Sequence, residues 1–480
     1  MTTPGATDDD AVATPVQFSD VCFKIGAVDQ LAGLRAQFPI QPEDADGKAK
    51  FKDAFNKSLA DMQVRIGVLL KTDTVSFLFG AGASKDSGGV LLGSIPTEIE
   101  KDLIQAGVSK GTKPRIRKWL RYFYTAAKWI NPNDSNIPHT HGRILQRRDN
   151  LSSHDPTPIV VNYESLLSLL HRWRAAMQEK GGHLRIGADS SLDLTSAHLD
   201  ECLRRATRAL AHRCCLPVQG KERELEAYGT FARKVLTRPL NLKRVNVFTL
   251  NYDTLVEQAA DAEGVVLIDG FVGTLKRIFR PECYDQDLYF PAETTEGRVH
   301  RHDRVVHLYK LHGSITWVAS KPEWDNPYGL VAKTEMASES DRVMVYPTPG
   351  KFGETLGMPY AELFRRFASA VVRPQSTLFV VGYGFGDDHV NAIIRQAVVV
   401  PSFTLVIIDP NPRSDFVRTL LDKRDQRVWI FSGQEIGSFS RFVQNALPDL
   451  RDEEVRQKVI STYRALGLDT PDPREVLPNG

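Results

Sequence analysis

The sequence predicts an α/β chain built on a doubly wound parallel sheet, with a large, mainly helical insertion after the sheet's first unit. Short runs of β-branched and aromatic residues recur at 74–79, 245–250, 305–311, 377–381 and 404–408. Such uninterrupted apolar runs suit strands covered on both faces. Helical periodicity alternates with them at 252–262 and 389–398, as crossover connections between parallel strands require. Between about Thr97 and Leu240 strand signals lapse, and amphipathic stretches at 119–130, 163–177 and 199–212 take over.

Taken in order, residues 1–16 read as a disordered tail, acidic and rich in small residues, without the basic start and apolar stretch of a secretory signal. Phe51, Phe55, Leu59, Met62 and Ile66 fall at helical spacing, so a helix leads into the first strand. The expected division is a tail and leading helix over 1–70 and a discontinuous nucleotide-binding domain over 71–97 and 241–435. The helical insertion is placed at 98–240 and closing helices at 436–480, strongest at 436–466.

The 480 residues suffice for at least one large core. A net charge of +2 gives no global reason for nucleic-acid binding. No apolar run long enough to span a bilayer occurs, so no membrane association is expected. Five cysteines, odd in number and not spaced as metal knuckles, fit a reduced, cytoplasmic protein without structural zinc. His139 and His141 have metal-like spacing but no evident third ligand. The basic and aromatic stretch at 113–122 reads as a solvated basic face over a buried stripe of Trp119, Phe123, Ala126 and Ile130.

Chemistry concentrates where strands end. Gly80, Ala81, Gly82 and Ser84 follow the first strand, where missing side chains let backbone approach a pyrophosphate. Lys85 stands where a dehydrogenase fingerprint has its third glycine, and a tight turn without ligand is the plain alternative. Asn251 and Asp253 follow the second strand; helix capping explains one of them, most plausibly Asp253 or Thr254. His312 ends the third strand before a glycine–serine turn, where a lone histidine is more often a structural group than a catalyst, although its imidazole can accept a proton at neutral pH. Gly382, Gly384, Asp409 and Asn411 follow the last two strands, in turn chemistry that suits ligand contact or loop closure alike.

Gly-Ala-Gly-Ala-Ser at 80–84, Asn-Tyr-Asp at 251–253 and Leu-His-Gly-Ser at 311–314 together resemble the sirtuin superfamily, in particular its bacterial antiphage defence members. The resemblance implies a Rossmann-like domain and NAD as substrate, cleaved at the nicotinamide–ribose bond. It implies that Asn251 orients the nucleophile or ribose, Asp253 holds the nicotinamide carboxamide and His312 takes a proton. Gly382, Gly384, Asp409 and Asn411 would line the rest of the dinucleotide site. The sequence departs from protein deacylases in lacking paired Cys-x-x-Cys elements and an Asp-Phe-Arg stretch after the glycine loop. Water then becomes the natural acceptor, giving an NAD hydrolase that serves abortive infection. The alternatives are an NAD-dependent deacylase or ADP-ribosyltransferase, and a non-catalytic nucleotide-binding subunit of a DNA-handling complex. The resemblance also implies self-assembly and a co-encoded partner, such as a HerA-type hexameric ATPase or a short Argonaute. No sensor segment is recognisable after Asp409.

Overall fold

The computed structural model describes residues 21–452 apart from 39–41, 43, 92–93, 112, 154–158, 160, 162, 180–194, 219, 221–224, 292–298, 335–341 and 345–358. The expected tail, and the part of the closing helices beyond 452, lie outside the described residues. The early strands are β1 (Cys22–Ile25), β2 (Val28–Asp29), β3 (Thr74–Phe79), β4 (Asn246–Thr249), β5 (Val266–Ile268), β6 (Phe271–Val272), β7 (Arg277–Phe279) and β8 (Tyr289–Pro291). After them come β9 (Val299–Arg301), β10 (Val305–Lys310), β11 (Gly313–Ala319), β12 (Leu330–Ala332), β13 (Arg342–Met344), β14 (Ser376–Val381), β15 (Phe403–Ile408) and β16 (Val428–Ser432).

Nine strands form the main sheet in the order β2-β1-β16-β15-β14-β3-β4-β10-β5. From β16 to β5 every neighbour is parallel; β1 and β2 add an antiparallel edge. The fold is thus α/β and Rossmann-like, with a mixed rather than wholly parallel sheet. Chain order reverses between β3 and β14, and at such a switch point the connections diverge to leave a crevice at the carboxyl edge.

Side-chain alternation explains the continuous apolar runs. Val75, Phe77 and Phe79 of β3 face one core with Phe379 and Val381 of β14, whereas Leu78, Leu378 and Val380 face the other. Phe77 stacks on Phe379 at 4.7 Å and meets the edge of Phe231 at 4.8 Å. Burying each such ring contributes roughly 1.5–3 kcal/mol, so a central strand cannot slip register without losing several of these contacts.

Helices Ile95–Gly107, Lys118–Ile130, Tyr163–Glu179 and Ser196–Arg213 share a separate core. Trp119, Phe123 and Ala126 are buried in it, as the amphipathic reading expects. The Leu225–Val235 helix does not join this bundle; its Tyr228 and Phe231 pack on the sheet. A further sheet, β13-β11-β12-β7-β6, has no counterpart in the sequence reading. After β16 the chain closes in the short helices Gln434–Gly437 and Phe439–Arg441 and a π turn at Phe442–Ala446. Among the described residues no helix is long and apolar enough to cross a membrane.

Candidate functional site

Four adjacent strands, β14, β3, β4 and β10, end side by side at the carboxyl edge. After them come, respectively, the 382–387 turn, the glycine loop, the Asn251–Asp253 segment and His312. Parallel pairing aligns these ends: Leu250 N–H donates to Phe79 O, and Leu311 N–H to Thr249 O, each at 2.9 Å.

The glycine loop enters a four-residue 3-10 helix, Ala81–Ser84. Its glycines are needed for a reason the sequence does not display. A Cβ on Gly80 would lie 2.7 Å from Gly382 O and Tyr383 Cα, and one on Gly82 would lie 2.7 Å from Gly382 Cα. Two backbones therefore pack directly at the switch point. Gly80 N–H donates to Val381 O at 2.9 Å and Gly82 N–H to Gly382 O at 2.8 Å. These two donors are spent within the protein. Gly382 itself takes a φ of 60°, the left-handed region that favours glycine. Gly384, by contrast, is exposed, and a Cβ there would meet nothing within 4 Å.

Ser84 joins two of the motifs. Its hydroxyl donates to Asp253 Oδ2 at 2.7 Å and accepts from Asn251 Nδ2 at 2.9 Å. The Tyr228 hydroxyl lies 3.4 Å away. Burial, and then the Asp253 carboxylate, hold the Tyr228 phenol well above its ordinary range, so it stays protonated and serves as donor. Asn251 Nδ2 also reaches Gly80 O at 2.9 Å. Asp253 Oδ1 accepts from Leu255 N–H at 3.2 Å in a turn just before the helix, whose N-cap position, Thr254, makes no side-chain capping bond, while its other oxygen holds Ser84. Held by these bonds, the chain delays its helix to Leu255–Glu263, three residues beyond the predicted start.

His312 is buried, and its Nε2 lies 3.3 Å from Asp387 Oδ2. Lys310, the last residue of the strand that His312 follows and also buried, donates to the Asp253 carbonyl and, at 2.7 Å, to Glu257. Ile315 N–H reaches Tyr252 O at 3.1 Å. Both Tyr252 and Ile315 pack against the helical bundle's core, so the Asn251 and His312 segments share an anchor there. Asp409 and Asn411 sit at the end of β15, on the same edge. Burial raises the Asp409 carboxyl above the ordinary range, and the Asn411 N–H, 2.8 Å from Oδ1, opposes it.

The structure thus brings Gly80, Gly82, Ser84, Asn251, Asp253 and Gly382 into one bonded cluster, with Ala81 opening the short helix and His312 just past the end of β10. Gly384, Asp409 and Asn411 share the edge, with no bond to that cluster among the described contacts. Asp387, Tyr228 and Lys310 were not singled out from sequence. Asp387 had a signal, since an Asp before a helical run marks a cap; Tyr228 and Lys310 had none. Among the described residues no group of three or more His, Cys, Asp or Glu side chains is arranged to hold a metal.

Residues 245–428 match a family model described as the SIR2-like domain. The span runs from β4 into β16; the glycine loop lies outside it but is hydrogen-bonded to it. No curated protein gives a significant match to the chain. Asn251, His312 and the 382–387 turn all lie inside the matched span, so this part of the chain is similar to the SIR2-like domain.

Proposed function

We propose that this protein is an NAD glycohydrolase that releases nicotinamide and ADP-ribose as the effector of an abortive, antiviral response. A SIR2-like domain is the mark of a superfamily of NAD-dependent enzymes. The observation that carries the reading is the convergence of the glycine loop, Asn251 and His312 on adjacent strand ends around a switch point. Asn251 is held at a fixed angle by Gly80 and Ser84, which suits a group that must orient a ribose or a water molecule. In hydrolysis the C1′–N bond breaks with its electron pair leaving on nicotinamide, and water adds at C1′. His312 accepts the proton that water loses.

Unregulated hydrolysis would poison the cell that makes the enzyme, so the proposal includes a gate. The helical bundle suits that role because Tyr252 and Ile315 tie it to both catalytic segments. A cytoplasmic homo-oligomer, gated by a co-encoded partner such as a HerA-type translocase or a short Argonaute, completes the reading.

The test incubates purified protein with NAD and separates the products by chromatography. Parallel samples contain an acylated peptide or the His312→Ala variant. Nicotinamide and ADP-ribose in equal amounts are expected, with loss of about 10²–10⁴-fold in the folded variant. Turnover only with the peptide would establish a deacylase instead. Binding of NAD without turnover would make the chain a nucleotide-binding subunit.

A further inference from the structure

We propose that Asp387 is a positioning residue for His312: its carboxylate fixes which ring nitrogen carries the proton and balances the charge the imidazole gains. The inference rests on the reading of His312 as the base of the site. Asp387 Oδ2 lies 3.3 Å from His312 Nε2, and the two side chains are only 10 and 7% exposed. An imidazolium formed in so buried a place is costly without an anion beside it. Orientation by a carboxylate also sets the tautomer, because the nitrogen facing the anion keeps its proton.

Helix capping does not account for this arrangement. Capping of the Asp388–Val399 helix uses the other oxygen, Oδ1, which accepts from His389 N–H at 3.0 Å and Val390 N–H at 3.5 Å. Oδ2 is the oxygen that lies at ion-pair distance, 3.3 Å, from His312 Nε2. The distance the turn crosses makes the same point. β14 lies three strands from β10, about 14 Å at the usual ~4.8 Å spacing. Six residues of extended chain reach about 20 Å, so the 382–387 turn must run along the sheet edge to deliver its carboxylate.

That turn is held in a demanding shape. Phe385 takes a φ of 55°, a left-handed conformation that costs a side-chain-bearing residue about 1–2 kcal/mol. It is retained by burial, with Tyr383 at 4.9 Å and Phe416 stacked at 5.0 Å. The Tyr383 hydroxyl accepts the Asp387 N–H at 3.0 Å and lies 3.2 Å from Asn391 Oδ1. Asn391 in turn donates to Phe385 O at 2.8 Å. Asp387 is therefore locked at its backbone before its side chain meets His312.

Asp387→Asn in the full-length chain is the discriminating variant, because asparagine caps a helix as well as aspartate does but carries no charge. The expected result is a kcat lower by about 10²–10⁴-fold with KM changed by less than about threefold. Asp387→Glu should recover part of the loss. Nitrogen-15 NMR of the histidine rings, with His312 assigned by its disappearance in His312→Gln, reads the pair without any turnover. A protonated Nε2 at neutral pH in the wild type, altered in Asp387→Asn, is expected. A kcat within about threefold of wild type, or an unchanged His312 ring spectrum, would overturn the proposal. If the wild type does not cleave NAD, the proposed function falls and the NMR result alone decides the pair. Should Asp387→Asn not fold, Asp387→Ser keeps a capping oxygen and takes its place. Failure of both to fold would make Asp387 structural and likewise overturn the assignment.

Discussion

Replacing Ser84 with alanine should damage the site and the fold together, because one hydroxyl joins the glycine loop to the Asn251–Asp253 segment. A hydroxyl has one proton and two acceptor positions. In Ser84 the proton goes to Asp253, and Asn251 and Tyr228 address the acceptor side. The residue is 3% exposed, so water does not replace what is lost. Removing a hydrogen bond to a buried charged group costs about 1.5–3 kcal/mol, and the weakened Asn251 contact adds about 0.5–1 kcal/mol. Asn251 keeps Gly80 O, which limits the second figure. A total of about 2–4 kcal/mol corresponds to a Tm lower by about 2–4 °C in a protein of this size. Differential scanning calorimetry without nucleotide, at one protein concentration, measures it. A cycle with Asp253→Asn tests the assignment: if both act through one bond, the double variant costs less than the sum of the singles by at least about 0.5 kcal/mol. A Tm within about 1 °C of wild type, with an additive cycle, would refute the argument.

Gly82→Ala and Gly384→Ala should part company. The first forces a Cβ to 2.7 Å from the Gly382 backbone and should lower stability by more than about 1–3 kcal/mol; the second meets nothing within 4 Å, should melt like wild type, and should weaken NAD binding if the nucleotide crosses that surface. Calorimetric binding and thermal melts on both variants check this. Ile315→Ala should cost about 2–5 kcal/mol in the helical core and also reduce NAD cleavage, although the side chain is buried in the bundle's core. Undiminished turnover in that variant would deny coupling between bundle and site. Burial, opposed by the Asp287 carboxylate, lowers the His307 imidazole to about 4. Above the unfolded value of about 6.5 neither state is protonated; below it the unfolded chain binds a proton that the folded chain refuses, so stability falls from about pH 6.5 to 4. His307→Gln should flatten that segment of the Tm–pH curve, and an unchanged slope would assign it elsewhere.

The strands of the main sheet could be read from the sequence because burial on both faces leaves an uninterrupted apolar run, visible without knowledge of any neighbour. The predicted strand at 74–79 coincides with β3, and 404–408 falls within β15. The glycine loop, Asn251 and His312 were legible for a related reason: each follows a strand directly, so strand position fixes the edge at which it lies. The small antiparallel sheet was not legible. Its strands β6, β7 and β12 are two or three residues long and too short for any period to show.

What decided the rest was contact between segments far apart in the chain. Gly80 and Gly82 carry no sign that Gly382 is what excludes their side chains. Tyr228 reaches Ser84 from a helix that arrives more than a hundred residues later. Asp387 meets His312 only because β3 and β4 lie between β14 and β10 and the 382–387 turn runs past their ends. Local propensity and periodicity act over a few residues. Pairing across the sheet is set by the energy of closing two cores at once, which no short stretch of sequence contains.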